Sequence, residues 1–143
     1  MEELKEKSLH PPKSANGAAA AERIQFTDVD PEVQLAIRSA AEKKATEIAV
    51  LDLRQIASFA EFFVIASGAN QRQVQAIADE IAEQLKKQLS TRPVRIEGYN
   101  SAEWVLMDYG DFIVHIFNKE AREFYDLERL WRDAGRVALP EDL

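Results

Sequence analysis

The pattern of apolar and polar residues predicts alternating helices and strands from about residue 26 onward. Apolar residues recur at helical spacing over 31–44 and again over 71–89, and the second of these helices is the most clearly predicted element of the chain. Two nearly continuous apolar runs, 48–53 and 62–66, predict strands that are covered on both faces.

The predicted boundaries carry signals of their own. Asp30 is suited to cap the free N–H groups of the first helix, and Pro31 suits its first position. Asn70 followed three residues later by Gln73 resembles a capping box for the second helix. A short strand over 93–97 begins with proline, so we place it at a sheet edge.

Residues 103–117 predict a β-hairpin. Two apolar runs meet at Tyr109-Gly110, and a two-residue turn containing glycine is a strong short-range hairpin signal. A turn of that length places Asp108 opposite Asp111. Four residues further from the turn, it places Trp104 opposite His115.

The two faces of this hairpin differ in chemistry, because strand side chains alternate. One face is typical of a core and carries Val105, Met107, Phe112, Val114 and Ile116. The other face carries large apolar groups, two acids and a histidine: Trp104, Leu106, Asp108, Asp111, Ile113, His115 and Phe117. This mixture favours a surface that binds a partner over a face exposed only to solvent.

The remaining elements complete a one-domain α/β fold. A last helix is predicted over 119–133, with Phe124, Leu127 and Trp131 on its apolar stripe and Gly135 as its stop. The order α-β-β-α-β-β-β-α predicts a mixed β-sheet of about five strands flanked by helices, with a right-handed crossover from the 62–66 strand to the strand after Pro93.

Residues 1–25 show no periodic apolar face and predict a flexible N-terminal tail before a domain at 26–143. The opening residues resemble neither a secretory signal nor a transit peptide, and no apolar run approaches the roughly 20 residues of a membrane span. The chain contains no cysteine. These observations predict a cytoplasmic protein with no membrane partner.

Charge narrows the choice of partner. The net charge is −7 and the isoelectric point is about 4.9, which argues against a surface that neutralises phosphates and against direct, sequence-specific nucleic-acid binding. An acidic protein is suited to a basic protein partner, although solubility alone explains the same charge.

Catalytic chemistry is weakly supported. Ser67-Gly68, between a strand and a helix, is a possible phosphate turn, but the chain has no Walker lysine and no multi-glycine loop. Asp79-Glu80 lies inside a helix, where neighbouring side chains diverge by about 100° and do not easily chelate one ion. We therefore predict no catalytic residue, no metal and no cofactor.

The hairpin acids and His115 are the other candidates for chemistry. Asp108 and Asp111 are explained as polar residues flanking a turn without any metal. No G-x-S-x-G elbow exists to supply a nucleophile near His115. The alternative that remains open is a metal-dependent nucleotide-binding or nucleotidyl-transfer enzyme that uses Ser67-Gly68 and the hairpin acids.

Taken together, several segments resemble the ribosomal silencing factor family, also called RsfS or Iojap-like. The match covers roughly residues 31–132 in order. It is carried by Val50-Leu51-Asp52-Leu53, the run from Ala60 to Gly68, Arg72 to Asp79, Glu97-Gly98, Ala102 to Asp111, Val114 to Phe117 and Arg122 to Trp131.

The resemblance implies a nucleotidyltransferase-like fold without catalytic carboxylates and a non-enzymatic function. Family members bind the large ribosomal subunit through its L14-type protein, the one numbered fourteen in the bacterial scheme, and block joining of the small subunit, which represses translation under nutrient limitation. Carried over by position, the partner-binding residues are Glu97, Trp104, Leu106, Asp108, Asp111 and His115. A homodimer through the same hairpin face is a further possibility.

Overall fold

The computed structural model describes residues 3–12 and 23–143. The helices are α1 (Glu3–Leu9), α2 (Pro31–Glu42), α3 (Gln71–Leu89), α4 (Lys119–Tyr125) and α5 (Leu127–Leu130), and a 3-10 turn covers Phe26–Asp28. The strands are β1 (Arg23–Gln25), β2 (Thr46–Asp52), β3 (Phe62–Gly68), β4 (Arg95–Glu97), β5 (Trp104–Asp108), β6 (Phe112–Asn118) and β7 (Gly135–Ala138).

The strands form one mixed sheet in the order β1-β7-β2-β3-β6-β5-β4. β3 pairs with β6, and β1 with β7, in parallel, while the other neighbours are antiparallel. The predicted mixed α/β sheet flanked by helices is confirmed, but it has seven strands instead of about five. The two strands that were missed, β1 and β7, have three and four residues, which is too short for a clear alternation. The likeness to nucleotidyltransferase folds stays a prediction.

The predicted crossover is wrong in its destination. β3 pairs in parallel with β6, and the three-residue β4 lies at the sheet edge, as its proline predicted. β6 is apolar and buried along almost its whole length, so it suits a central place beside the equally buried β3. The chain leaves β3 through α3, reaches the edge at β4 and returns through β5.

The long helix α3 forms as its pattern predicted. Asn70 Oδ1 accepts the Gln73 backbone N–H at 2.8 Å, and Gln73 Oε1 accepts the Ala69 N–H at 2.6 Å, so the two side chains cap the helix reciprocally. The helix ends at Ser90, whose φ of 52° is left-handed.

The predicted last helix is interrupted. Asp126 has a φ of 47°, which ends α4 and separates it from α5, and Gly135 begins β7 where we expected only a stop. Leu127 and Trp131 point inward as predicted, but Phe124 is 79% exposed. The break at Asp126 gives α4 and α5 different orientations, so Phe124, Leu127 and Trp131 do not lie on one apolar stripe.

Residues of the predicted tail also contribute to the fold. Residues 3–9 form α1 and residues 23–25 form β1, so the folded part of the chain does not begin at residue 26. The prediction of flexibility for residues 13–22 lies outside the described residues. In the described ranges, no helix has both the length and the apolar character needed to cross a bilayer.

The sheet has two cores, one on each face. The first, which we call the α2–α3 face, packs the two long helices against the sheet and includes the predicted core residues Val105, Met107, Phe112, Val114 and Ile116. The second, which we call the aromatic face, lies under α1, α4 and α5 and includes Phe63, Trp104, Leu106, Ile113, Phe117 and Trp131.

Candidate partner-docking surface

The hairpin register differs from the predicted one by two residues. Leu106 pairs with His115, and Trp104 pairs with Phe117 instead of His115. The loop is longer than two residues: the Tyr109 N–H donates to the Phe112 carbonyl at 3.0 Å, and a type I′ turn would need positive φ at both central residues, whereas only Gly110 has one. A shift of two preserves the period of strand side chains, so the predicted division into two faces holds.

The apolar members of the predicted docking set are buried, which corrects their placement on an exposed surface. Trp104 is 5% exposed, while Leu106 and His115 are 0% exposed. They lie in the aromatic face, where the Trp104 ring contacts Tyr125 of α4 with ring centroids 4.6 Å apart. The mixture of aromatic and polar groups that suggested a partner surface is therefore packed inside the protein.

Trp104 and His115 form a buried hydrogen-bonded pair, while Nε2 of His115 is buried with no hydrogen-bond partner among the described residues. The indole N–H of Trp104 donates to Nδ1 of His115 at 3.0 Å, so Nδ1 is an acceptor and Nε2 carries the proton of a neutral imidazole. Burial, assisted by the nearby Lys5 ammonium, lowers the pKa of His115 to about 3. His115 is thus a neutral structural residue at physiological pH, which excludes it as a charged surface contact.

The three acids of the predicted set lie nearer the surface but not at one place. Asp108 and Asp111 flank the hairpin loop, where Asp108 Oδ1 accepts the Gly110 N–H at 2.8 Å. Trp104 is at the other end of β5, four residues or roughly 13 Å away. The hairpin acids therefore lie at the opposite end of β5 from Trp104, although all three residues belong to the predicted partner-binding set.

Glu97 is the acid that lies beside the aromatic face. It pairs with Leu106 across the β4–β5 ladder, and its Oε2 is 3.8 Å from Nη1 of Arg95. Both carboxylate oxygens are buried, and neither accepts a hydrogen bond from the described part of the chain. A buried carboxylate without donors favours an additional cation nearby.

The candidate phosphate turn Ser67-Gly68 is occupied by protein groups. Arg122 Nη1 donates to Ser67 Oγ at 2.7 Å, and the guanidinium binds both carboxylate oxygens of Glu128 at 3.0 Å. A Cβ at Gly68 would lie 2.9 Å from Cγ2 of Val74, so the glycine is needed for close packing of α3. These contacts weigh against a nucleotide phosphate at this turn.

Arg122 is a structural residue that sequence reasoning missed. It stands in a stretch of mixed charges, which is typical of a solvated helix face. In the structure Arg122 is buried and links α4 to β3, to Glu128 beyond the helix break and to the Glu47 carbonyl at 2.6 Å. Glu47 has a φ of 52° and lies at the irregular register of β2. Neither the helix break nor the bulge that brings these groups together is visible in a periodic pattern.

The acidic side chains give little support for a metal site. Across residues 3–12 and 23–143, no cluster of three or more histidine, cysteine, aspartate and glutamate side chains is arranged to hold a metal ion. The Asp79 carboxylate accepts the Tyr99 hydroxyl at 3.0 Å to both oxygens, and this hydrogen bond raises the pKa of Tyr99. A pair of strand-borne carboxylates, which nucleotidyl transfer would need, is not formed by Asp79 and Glu80 of α3.

Helix α1 covers the aromatic face at Trp104 and Trp131. Lys5 Nζ donates to the Trp104 carbonyl at 2.9 Å and lies 4.9 Å from the centre of the Trp104 ring. Trp131 Nε1 donates to the Ser8 carbonyl at 2.7 Å. A cleft of about 270 Å³ remains beside this contact, lined by Lys5, Glu6, Leu9, Ser101, Glu103, Trp104 and Tyr125.

Comparison with known proteins identifies the family. The family model described as "Ribosomal silencing factor during starvation" (RsfS) matches residues 27–143. The chain belongs to the ribosomal silencing factor family. The predicted family is thereby confirmed, and so is the prediction of a regulatory factor rather than an enzyme, because the curated relatives carry the name of a silencing factor.

Individual relatives agree with this assignment. The ribosomal silencing factor RsfS of Halalkalibacterium halodurans is 43% identical over 107 residues, which cover 75% of this chain and 91% of the relative. A crystal structure of a protein from Chromobacterium violaceum has a TM-score of 0.68 and 34% identity, and covers 77% of this chain and 88% of the other. A mouse protein named "Mitochondrial assembly of ribosomal large subunit protein 1" is 27% identical over 129 residues, 85% of this chain and 57% of its own length.

The family match and α1 occupy different parts of the chain. The matched region starts at residue 27, and α1 ends at Leu9. Within this silencing-factor structure, the cover over Trp104 and Trp131 is thus supplied by residues outside the family model.

Proposed function

We propose that this chain binds the large ribosomal subunit through its L14-type protein and sterically blocks association with the small subunit. The observation that carries the proposal is membership of the ribosomal silencing factor family over residues 27–143. The name of the mouse relative, which refers to assembly of the ribosomal large subunit, supports the same subunit as the partner. The outcome is repression of translation under nutrient limitation.

Electrostatics support a basic protein as the docking partner. The net charge of −7 repels RNA phosphates but favours approach to a basic protein, for which it increases the association rate. A steric block requires occupancy of a surface and no chemical turnover. The proposal accordingly needs no cofactor and no metal, and it places the protein in the cytoplasm, without a membrane partner or sequence-specific nucleic-acid contact.

The six predicted partner-binding residues divide into two roles in this proposal. Asp108 and Asp111 contact basic groups of the partner directly, whereas the carboxylate of Glu97, whose oxygens are buried, must first become accessible to do so. Leu106 and His115 lie beside Glu97 on the sheet and hold the Trp104 ring in position through packing and the indole–imidazole hydrogen bond. Trp104 reaches the surface only at the cleft beside α1, so its contact with a partner depends on that helix.

The experiment that tests the docking surface removes the hairpin charges without disturbing the loop. In Asp108→Asn/Asp111→Asn, the amide oxygen at position 108 still accepts the Gly110 N–H. We expect cosedimentation with large subunits to weaken about tenfold or more at low salt, since the lost contacts are charge pairs. Subunit-joining assays followed by light scattering should show a matching loss of inhibition.

A matched control changes two exposed acids on the opposite side of the sheet. Glu42→Gln on α2 with Glu83→Gln on α3 removes the same total charge, so it separates a local contact from a general charge effect. If both double variants bind large subunits like the parent chain, the hairpin surface proposed here is wrong. If the parent chain itself does not bind, the proposed function is wrong.

The predicted homodimer is tested in the same preparations. Sedimentation velocity of the free protein measures its mass directly. A concentration-dependent dimer that is lost on addition of large subunits would support one face shared by both partners.

A further inference from the structure

Helix α1 contacts the two tryptophans of the chain with two polar bonds. The Trp104 carbonyl accepts Lys5 Nζ at 2.9 Å, and Trp131 Nε1 donates to the Ser8 carbonyl at 2.7 Å. Leu4 and Leu9 pack against the same aromatic face and stay partly exposed. Through Leu4, Lys5, Ser8 and Leu9, α1 occupies a groove on the aromatic face.

The chemistry of that groove is suited to a basic ligand. The Lys5 ammonium lies 4.9 Å from the centre of the Trp104 ring, which is a cation–π arrangement, and donates to the Trp104 carbonyl. It is also 2.9 Å from the place of a Cβ at Gly98, so it approaches the chain next to Glu97. Lys5 therefore occupies a position where a carbonyl and an aromatic face converge, one residue along the chain from the acidic Glu97.

Glu97 strengthens the preference for a cation at this position. Its two carboxylate oxygens are buried and accept no hydrogen bond from residues 3–12 and 23–143, and Arg95 approaches only to 3.8 Å. A buried carboxylate is stabilised by a cation that can donate to it. A lysine or arginine of a basic partner would supply that donor.

Helix α1 is attached in a way that lets it detach easily. α1 has seven residues, and a helix of this length is not stable by itself in water. Its exposed side chains, Glu3, Glu6 and Lys7, make up much of its surface. It also lies outside the matched family region, which starts at residue 27.

From these contacts we infer that α1 is a built-in competitor for the docking surface. It places Lys5 where a lysine or arginine of the basic ribosomal partner binds, and docking requires α1 to leave the groove at Trp104. This inference rests on the proposed function, because the partner displacing α1 is the basic protein named there. The apparent affinity of the protein is then lowered by the fraction of molecules in which α1 is closed.

The test detaches α1 in the full chain without changing its net charge. Leu4→Gln/Leu9→Gln removes the apolar contacts of α1 with the aromatic face. The matched control is Glu3→Gln/Lys7→Gln, which places two glutamines at exposed positions of the same helix and leaves the net charge unchanged. Acrylamide quenching reports α1 directly, because Trp104 and Trp131 are the only tryptophans of the chain.

We expect Leu4→Gln/Leu9→Gln to increase quenching and to tighten binding to large subunits by about tenfold, while the control behaves like the parent chain. Increased quenching with unchanged or weaker binding would overturn the competition and leave the proposed function intact, provided the parent chain binds. Absence of binding by every protein would instead overturn the proposed function, and the inference with it.

A second variant tests the part played by the Lys5 ammonium. Lys5→Gln keeps the helix and its leucines but removes the cation beside Trp104. We expect a smaller increase in both quenching and affinity than for the leucine pair. Self-association of either variant in sedimentation velocity would overturn the inference, because a second copy of the chain would then be the occupant of the groove.

Discussion

The two faces of the sheet are built in different ways. The α2–α3 face is covered by helices of 12 and 19 residues, and its buried side chains are almost entirely apolar. The aromatic face is covered by helices of seven, seven and four residues and buries His115 and two indole N–H groups, while Arg122 is buried where α4 meets β3. The α2–α3 face is stabilised by complementary shape and buried apolar area alone, whereas the aromatic face depends on specific polar pairs.

This difference shows where a conformational change is least costly. Long helices bury a continuous stripe and open only with the rest of the fold, because their contacts are shared along the whole element. A short helix joined by a few contacts opens alone. The aromatic face therefore combines a stable layer, formed by β3, β5 and β6, with a short helix, α1, that contributes little to global stability.

The largest expected effect is a difference in stability between a variant of α3 and a variant of α1. Ile81→Ala in α3 removes a fully buried side chain from the α2–α3 face and should lower the free energy of unfolding by about 2–5 kcal/mol. Leu4→Ala in α1 should cost less than about 1 kcal/mol, because α1 can detach without unfolding the domain. Urea denaturation of the two variants measures both values, and equal losses would contradict the comparison.

The second expected effect uses the buried histidine of the aromatic face. The folded protein holds the pKa of His115 at about 3, whereas an unfolded histidine titrates near 6.5, so the unfolded chain binds more protons below pH 6.5. The contribution of His115 is complete above pH 6.5, decreases as the pH falls and levels off below about pH 3. Between pH 7 and pH 5 it should lower the free energy of unfolding by about 2 kcal/mol.

The control for this pH effect replaces one histidine at a time. His115→Gln removes the titrating group, so the difference in stability between pH 7 and pH 5 should shrink relative to the parent chain. His10→Gln, at the second histidine, which is exposed and lies outside the aromatic face, is the matched control. Equal pH dependence in the parent chain and His115→Gln would show that another group carries it.

The smallest expected effect concerns a polar atom on the α2–α3 face. The Tyr109 hydroxyl is buried without a hydrogen-bond partner in the described chain, and burial raises the pKa of Tyr109 to about 12. Tyr109→Phe removes that unpaired group, so stability should stay constant or rise by up to about 1 kcal/mol. Tyr99→Phe, which loses a hydrogen bond to Asp79, is the contrasting variant and should not be stabilised.

Much of the α2–α3 face was predictable because its signals are local. The spacing of Val74, Ile77 and Ile81 predicts α3, and the cap by Asn70 and Gln73 is formed by neighbours in sequence. The predicted division of the hairpin into two faces is correct for a similar reason, although the predicted register was wrong. Alternation depends on the parity of each position, so a shift of two left every side chain on its predicted side.

The candidate site was less predictable, because exposure is decided by distant segments. Trp104, Leu106 and His115 share the predicted face, but whether that face meets solvent depends on α4 and α5 and on α1, about a hundred residues earlier in the chain. The αL conformation of Asp126, which separates α4 from α5, leaves no trace in an apolar stripe.

The sequence by itself determined the two-faced hairpin, the long helix α3, the edge position of β4 and the family to which the chain belongs. Only the tertiary structure decided that the mixed face of the hairpin is a second core and that Arg122 fills the Ser67 turn. It also decided that Lys5 of the N-terminal segment lies on Trp104. The physical reason is range: periodicity and capping act between neighbours, whereas burial is set by whichever distant segment packs on a face.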